Sequence, residues 1–462
     1  MRLVPSGSRV VSIRTRFAAL PHARARRLAL PAIASNVAVP AVGLIDTAML
    51  GHFSDAVNLG AVGLGAAVIS TVFWAFAFLR PGTTSLVGRA LGAGRQADAV
   101  GHLQRALAMA GALGAGWLAV QWVVVPLVVR VLAQGAGAGP VATDYALIRG
   151  LSLPGVLVTL AIVGYFIGAQ NTRTPLIIAG TVAGANVVFA LVAVGGLGWG
   201  ARGAGWATFA AEWLGAAVAL AVLRRSLGAE RWAQLLHWRG DHLRTGWRPL
   251  LAMNSRLVTR SALLMGAITV VASMGSRFGD DVLAANAILL QMMYLASYAL
   301  DGYATAAETM GAERIGAKDV PGFHRAFAAT SIAGGVIAAA LTLVFWVGRD
   351  PILAALTSLP GVTDAARHTW WAAAALPVVS GAAWMLDGLF LGTGRARDMV
   401  ASMAASVLGV FAPIVILSIV TGHFVNAWLW GAFLALNVMR AATLGWRYAN
   451  LTRRGQWLAP AS

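Results

Sequence analysis

One carboxylate lies in sequence that is otherwise strongly apolar. Asp46 follows Pro40-Ala-Val-Gly-Leu-Ile, and Pro31 lies fifteen residues before it in the same run. An ionisable side chain inside a membrane-spanning helix costs roughly 3 kcal/mol or more unless it faces a partner or a water-filled cavity. We therefore predict that Asp46 takes up a proton or a cation, and that both prolines are bending points of its helix because proline removes a backbone hydrogen bond. The alternative is an interfacial aspartate that reaches water or caps the turn near residues 51–58.

A second group of charges lies in the C-terminal half of the chain. Asp301 and Glu308 are seven residues apart, on one helix face, and Asp387 lies in a later apolar run. Arg256 and Arg260, spaced i, i+4, share a face and could pair with these acids. We predict that Asp301 pairs with Arg260. The alternatives are a purely structural ion-pair network and, for Glu308 near its helix end, a solvated or loop-pairing role.

Glu212 is a further candidate, since it lies in an apolar run with no basic neighbour in its own helix. Motifs typical of enzymes are missing. No phosphate-binding loop follows a strand, the histidines show no metal-ligand spacing, and cysteine is absent, which excludes disulfides and thiolate metal sites. We therefore predict no catalytic activity, no metal and no cofactor.

The elements that must position these residues are membrane helices. Of the 462 residues 58% are hydrophobic and only 11% are charged, less than half the charged share of about 25% in soluble domains. The mean hydropathy is +0.73. The net charge of +18 comes almost wholly from arginine, with Lys318 the only lysine, in short segments between apolar runs. Basic loops facing anionic lipid explain this pattern, so we expect contact with membrane lipids and no nucleic-acid partner.

We predict an all-α integral membrane protein with twelve spans, at 28–50, 59–79, 103–130, 145–169, 175–197, 203–223, 250–275, 282–307, 325–347, 369–391, 399–421 and 424–446. About twenty apolar residues suffice to cross the hydrocarbon. Arginine concentrates in the N-terminal tail and in every second loop. Cytoplasmic loops carry the excess of basic residues, so both termini are expected in the cytoplasm of a bacterium, with the chain in its inner membrane.

The chain also resembles itself at an offset of 224 residues. Gly51 matches Gly275, Gly92-Ala93 matches Gly316-Ala317, and Phe166-Ile-Gly168 matches Phe390-Leu-Gly392. A shared offset through several loops indicates two parallel six-helix repeats, a common plan among transporters. The predicted organisation is a basic tail (1–27), a first half (28–223), a basic amphipathic linker (224–249), a second half (250–446) and a cytoplasmic tail (447–462).

Several of these segments are similar to a known transporter family. Leu30-Pro31-Ala-Ile-Ala-Ser-Asn36-Val-Ala-Val-Pro40, followed by Gly43-Leu-Ile-Asp46-Thr, resembles the first helix of the multidrug and toxic compound extrusion (MATE) transporters, in their DinF branch. The segments around Asp301 and Asp387 agree, as does the loop Gly88-Arg-Ala-Leu-Gly-Ala. The resemblance covers about residues 28–446.

The resemblance implies a V-shaped antiporter, expected as a monomer, that exports amphipathic, often cationic compounds in exchange for protons or sodium. The coupling carboxylate of the family falls on Asp46 and its fifth-helix asparagine on Asn186. Many relatives carry an aspartate four residues after that asparagine, where this chain has Ala190. Sodium needs several oxygen ligands, whereas a proton needs one carboxylate, so we expect proton coupling.

A flippase for a lipid-linked precursor, from the same superfamily, is the alternative function. Such a protein needs positive charge in its central cavity to bind phosphate. Arg256 and Arg260 facing that cavity would favour it.

Overall fold

The computed structural model describes residues 20–53, 56–133, 139–237, 247–422 and 425–459, excluding the side chains of 39–48, 51–53, 56, 57, 59, 133, 275 and 276. The described residues contain helices and no strand. The first eight helices are α1 (His22–Phe53), α2 (Ala56–Phe76), α3 (Leu79–Gly92), α4 (Gln96–Ala133), α5 (Gly139–Gly150), α6 (Leu153–Gly168), α7 (Arg173–Ala190) and α8 (Gly200–Leu236). A π-helical turn at Leu191–Gly196 extends α7.

Eight more α-helices lie in the described residues after 246. They are α9 (Trp247–Met274), α10 (Asp280–Gly316), α11 (Val320–Val347), α12 (Arg349–Leu356), α13 (Pro360–Gly392), α14 (Ala396–Ser406), α15 (Ala412–Val420) and α16 (Asn426–Arg453). A π-helical turn at Val407–Phe411 joins α14 to α15, as one extends α7 in the first half.

The described helices include ten segments that are long and apolar enough to cross a membrane, and the bent pair α5–α6 is an eleventh. The 32-residue helix α1 is the twelfth long segment. The predicted all-helical membrane fold is confirmed. The loops are shorter than predicted, because the basic segment 80–102 is helical except at 93–95, and α8 continues past a break at Gly228 to residue 236.

Four helices, α3, α6, α10 and α13, end in the same type of turn, which α16 repeats at Gly455. In each turn one residue has a left-handed backbone, and two backbone N–H groups bond back to carbonyls in the last turn of the helix, which satisfies groups that the helix itself leaves free. For α3 these bonds run from Gly94 to Leu91 and from Arg95 to Ala90, both at 3.0 Å or less. The four left-handed residues are Gly94, Gln170, Lys318 and Gly394. We call the end of the bundle that carries these turns the four-turn face.

Helices α3 and α10 cross at the four-turn face through small residues. A Cβ atom placed on Gly88 would lie 2.8 Å from the Cβ of Ala312. Four residues further along each helix, Gly92 and Gly316 approach the opposite backbone still more closely. Small residues spaced by four allow such close packing of membrane helices. This crossing is one of the places where the two predicted halves meet, since α1 also packs along α10.

Candidate coupling and substrate sites

Asp46 and Pro40 lie in α1, but their side chains are outside the described part of the structure. Helix α1 runs without interruption from His22 to Phe53, through both Pro31 and Pro40. It packs against α7, which carries Asn186, and against α8. The backbone therefore places the candidate carboxylate on a helix adjoining the candidate asparagine.

Asn186 is fully buried between α7 and α8. Its Nδ2 donates to Oγ1 of Thr208 at 2.8 Å, and that hydroxyl donates to the carbonyl of Ala204 at 3.1 Å. Ala190, one turn further along α7, is also fully buried and offers no oxygen ligand. Thr208 could not be selected from its sequence context, because a lone threonine in an apolar helix is common. Only the packing of α7 against α8 brings it to Asn186.

Glu212 is neutralised by a residue from another helix. Its Oε2 accepts a hydrogen bond from Nη1 of Arg149, at the end of α5, at 2.7 Å. Both side chains are mostly buried, and the guanidinium carbon of Arg149 lies 5.4 Å from the ring centre of Phe73. A buried carboxylate with such a partner is held as an ion pair. This geometry indicates a structural role for Glu212.

Asp387 in α13 is the centre of a buried cluster in the second half. Its Oδ2 accepts from Nη2 of Arg260 in α9 and from Nη2 of Arg440 in α16. Arg440 is only 2% exposed, and its Nη1 donates to Oδ1 of Asn437 at 2.9 Å. The predicted pair of Arg260 with Asp301 is therefore wrong: Arg260 faces α13 and binds the aspartate there instead.

Arg440 is a residue that the sequence analysis missed. It lies inside the last predicted span, so the rule that selected Asp387 should also have selected it. Arg256 lies one turn before Arg260 on α9 and forms no ion pair among the described residues.

Asp301 and Glu308, both on α10, are the two remaining candidate acids of the second half, and neither forms an ion pair with this cluster in the part of the chain that the structure describes. Oδ2 of Asp301 accepts a hydrogen bond of 3.4 Å from Ser297. Glu308 is 3% exposed, and its Oε1 has no hydrogen-bond partner among the described residues. Arg80, at the start of α3, is close enough to interact electrostatically with both carboxylates. Neither acid forms an ion pair with a described residue, so each can bind a proton or a cation.

Nothing among the described residues resembles a metal centre, since no group of three or more His, Cys, Asp or Glu side chains converges there. The arrangement consists instead of buried polar side chains distributed over two sets of helices. Such an arrangement can bind ions and solutes inside a membrane.

Comparison with known proteins agrees with this architecture. The sequence profile of the MatE family matches the chain twice, at residues 31–192 and 258–417, one match in each predicted half. The DNA damage-inducible protein F of Escherichia coli K12 is 33% identical over 442 residues, which cover 94% of this chain and 93% of that protein. The chloroplastic Protein DETOXIFICATION 44 of Arabidopsis thaliana is 25% identical over 93% of this chain and 82% of that protein.

Solved structures show the same fold at lower sequence identity. The Vibrio cholerae MATE transporter VcmN in its bent form superposes with a TM-score of 0.82 at 18% identity, covering 96% of this chain and 99% of that one. An outward-facing multidrug resistance MATE transporter superposes with a TM-score of 0.77 at 16% identity, covering 96% and 98%. From the two profile matches and the relative in E. coli, we conclude that this chain is a multi-pass membrane transporter of the MatE family, the multidrug and toxic compound extrusion proteins.

Proposed function

We propose that this transporter exports amphipathic, cationic compounds from the cytoplasm in exchange for protons, and that Asp46 is the coupling carboxylate. The four-turn face is then the cytoplasmic side, with both termini there. The two halves, 28–223 and 250–446, alternate between openings to the two sides of the membrane.

The side chains around Asn186 support a proton, and not sodium, as the coupling ion. Among the described side chains, Asn186 is hydrogen-bonded to the hydroxyl of Thr208, Ala190 is apolar, and Glu212 is paired with Arg149. A hard cation such as Ca²⁺ takes about six to eight oxygens, and sodium likewise needs several. A single carboxylate in an apolar setting is enough to carry a proton.

The experiment is transport in everted membrane vesicles that contain the whole chain. A fluorescent organic cation is added at a fixed pH gradient, and proton movement driven by that cation is recorded with a pH-sensitive dye. We expect exchange at a rate that sodium does not change. A saturable stimulation by sodium would overturn proton coupling and direct attention to Asp301 and Glu308.

The flippase alternative receives no support from Arg260. Its guanidinium is bound to Asp387, so it does not supply the free positive charge that a lipid phosphate needs. Transport of organic cations remains the function that the site supports best.

A further inference from the structure

Three polar side chains connect the two halves at the four-turn face. Nε of Arg24, near the start of α1, donates to Oε1 of Gln170 at 3.0 Å, and its Nη2 donates to Oε1 of Glu313 at 2.8 Å. Nε2 of Gln170 donates to Oε2 of the same glutamate at 2.8 Å. Gln170 belongs to the first half, Arg24 lies at the start of α1, which continues into that half, and Glu313 belongs to α10 of the second half. The network therefore fastens one half to the other.

Gln170 adopts a backbone conformation that favours glycine. Its φ is +60°, in the left-handed region where a Cβ atom clashes with the backbone. The matching turn 224 residues later has Gly394 at this position, with φ +76°. A turn of this type forms more easily with glycine. A strained backbone persists where contacts compensate for it, and Gln170 makes three hydrogen bonds to Arg24 and Glu313. Lys318 has the same backbone at φ +59° but is exposed, so the hydrogen bonds and not the turn alone distinguish Gln170.

The network is partly solvated, unlike the charges deeper in the bundle. About a third of each of the Arg24 and Glu313 side chains is exposed. A cavity of about 350 Å³ opens beside them and also contacts Gln170 and Arg314. Partly exposed ion pairs are weak, because water can readily replace either partner. This network can therefore break and re-form in each transport cycle, whereas the buried Asp387 cluster would lose its partners only at high cost.

We propose that Arg24, Gln170 and Glu313 form a latch that holds the four-turn face closed and must open before substrate enters from that side. The latch rests on the proposed function, since it has a role only if the two halves alternate. Closure itself comes from the apolar packing of α10 against α3 and α1. The latch adds polar contacts to this packing, from the start of α1 and from the α6–α7 turn, so its opening removes the polar contacts that Arg24 and Gln170 make with Glu313.

A single cysteine can report opening directly, because the chain contains no cysteine. Ser85 is fully buried in α3, and its Oγ donates to the carbonyl of Gly392 in α13 at 3.3 Å. Ser85→Cys is nearly isosteric and becomes accessible only when the halves separate at this face. The rate at which a membrane-impermeant maleimide labels this cysteine in everted vesicles measures how often the face opens.

We expect Glu313→Gln and Gln170→Gly each to raise the labelling rate several-fold over Ser85→Cys alone. The matched control is Arg314→Gln, which removes a charge from the same cavity. Arg314 pairs with Asp319 at 2.7 Å and approaches Glu313 only at 3.9 Å, and all three residues belong to the second half, so its loss should leave the labelling rate unchanged. The double variant Arg24→Glu, Glu313→Arg swaps the two charges and should restore slow labelling. The amide of Gln170 has both a donor and an acceptor, so it can bond to the swapped residues as well.

Gln170→Gly is the decisive variant, since it relieves backbone strain and so should fold at least as well as the parent. If this variant labels at the parental rate, Gln170 has only a role in the turn and the latch is refuted. Equal labelling of Glu313→Gln and Arg314→Gln would refute it too. Labelling requires no transported compound, so failure of drug exchange would count against the proposed function and leave this result intact.

Discussion

Gly92 and Gly316 make the same contact from opposite sides of the interface between the halves. A Cβ on Gly92 would lie 2.1 Å from the carbonyl oxygen of Glu313, and a Cβ on Gly316 would lie 2.2 Å from the carbonyl oxygen of Arg89. Both the two glycines and the two carbonyl residues are 224 positions apart. The contact is therefore reciprocal, as across a two-fold axis. The pair Gly88 and Ala312, also 224 apart, lies on that axis.

The close crossing of α3 and α10 should limit the stability of the fold. Gly92→Ala should destabilise the protein by about 1–3 kcal/mol, because the added methyl group forces α3 and α10 apart. The loss is measured as a lower thermal midpoint in detergent, followed by tryptophan fluorescence. Gly116→Ala in α4 is the control, since a Cβ there meets no atom within 4 Å. Equal midpoints for the two variants would show that the crossing does not limit stability.

The Asp387 cluster should be structural. Asp387→Asn leaves two guanidiniums without their carboxylate, and breaking a buried ion pair costs roughly 3–5 kcal/mol. We expect a large fall in the thermal midpoint, and Asp387→Asn combined with Arg440→Gln should recover much of it. Asp364→Asn, an exposed acid on the same helix, is the control and should change little. A stable Asp387→Asn protein that no longer exchanges protons would instead make Asp387 a coupling residue.

Asp46→Asn should abolish proton movement driven by an organic cation while leaving the folded yield unchanged. The amide keeps the size of the side chain but cannot bind and release a proton. The measurement is proton flux in everted vesicles after addition of the cation. Asp144→Asn is the control, because Asp144 is an exposed acid paired with Arg202. Normal exchange by the Asp46 variant would disprove the assignment.

Asp319 should stabilise α11 in a pH-dependent way. Its Oδ1 accepts the backbone N–H of Gly322 at 2.8 Å, and this bond, together with one from Arg314, holds the pKa of Asp319 below its usual value. Loss of such a cap in Asp319→Ala should cost about 1 kcal/mol at neutral pH.

The pH dependence follows from the lowered pKa of Asp319. The stabilisation is fully present above the pKa of the unfolded chain, about 4, and disappears as the pH falls through the lower pKa of the folded state. The difference in thermal midpoint between parent and Asp319→Ala should therefore shrink in strong acid. Asp319→Asn, which retains a good capping group, should behave nearly like the parent at pH 7. A constant difference at all pH values would contradict this explanation.

The sequence by itself determined the membrane fold, the helices and the repeat. Hydrophobic runs of about twenty residues must be helical in lipid, because backbone groups there have no water to bond with. The 224-residue offset found in the sequence reappears in the structure, in the pairing of Gly92 with Gly316 and in the left-handed turns at Gln170 and Gly394. These features depend on local sequence, which a repeat preserves.

The partners of the charged residues were decided only by the tertiary structure. The spacing of Arg256 and Arg260 showed that they share a face, but the packing of α9 gives Arg260 its ion pair with Asp387 and leaves only a longer-range electrostatic interaction with Asp301. In the same way, Arg149 from α5 reaches Glu212 on α8, and Arg24 reaches Glu313 across the chain. Spacing fixes which residues lie together on one helix. Which neighbouring helix that face contacts depends on how the whole bundle packs. Apolar contacts between membrane helices can be made by many side chains, so they do not by themselves select a partner helix.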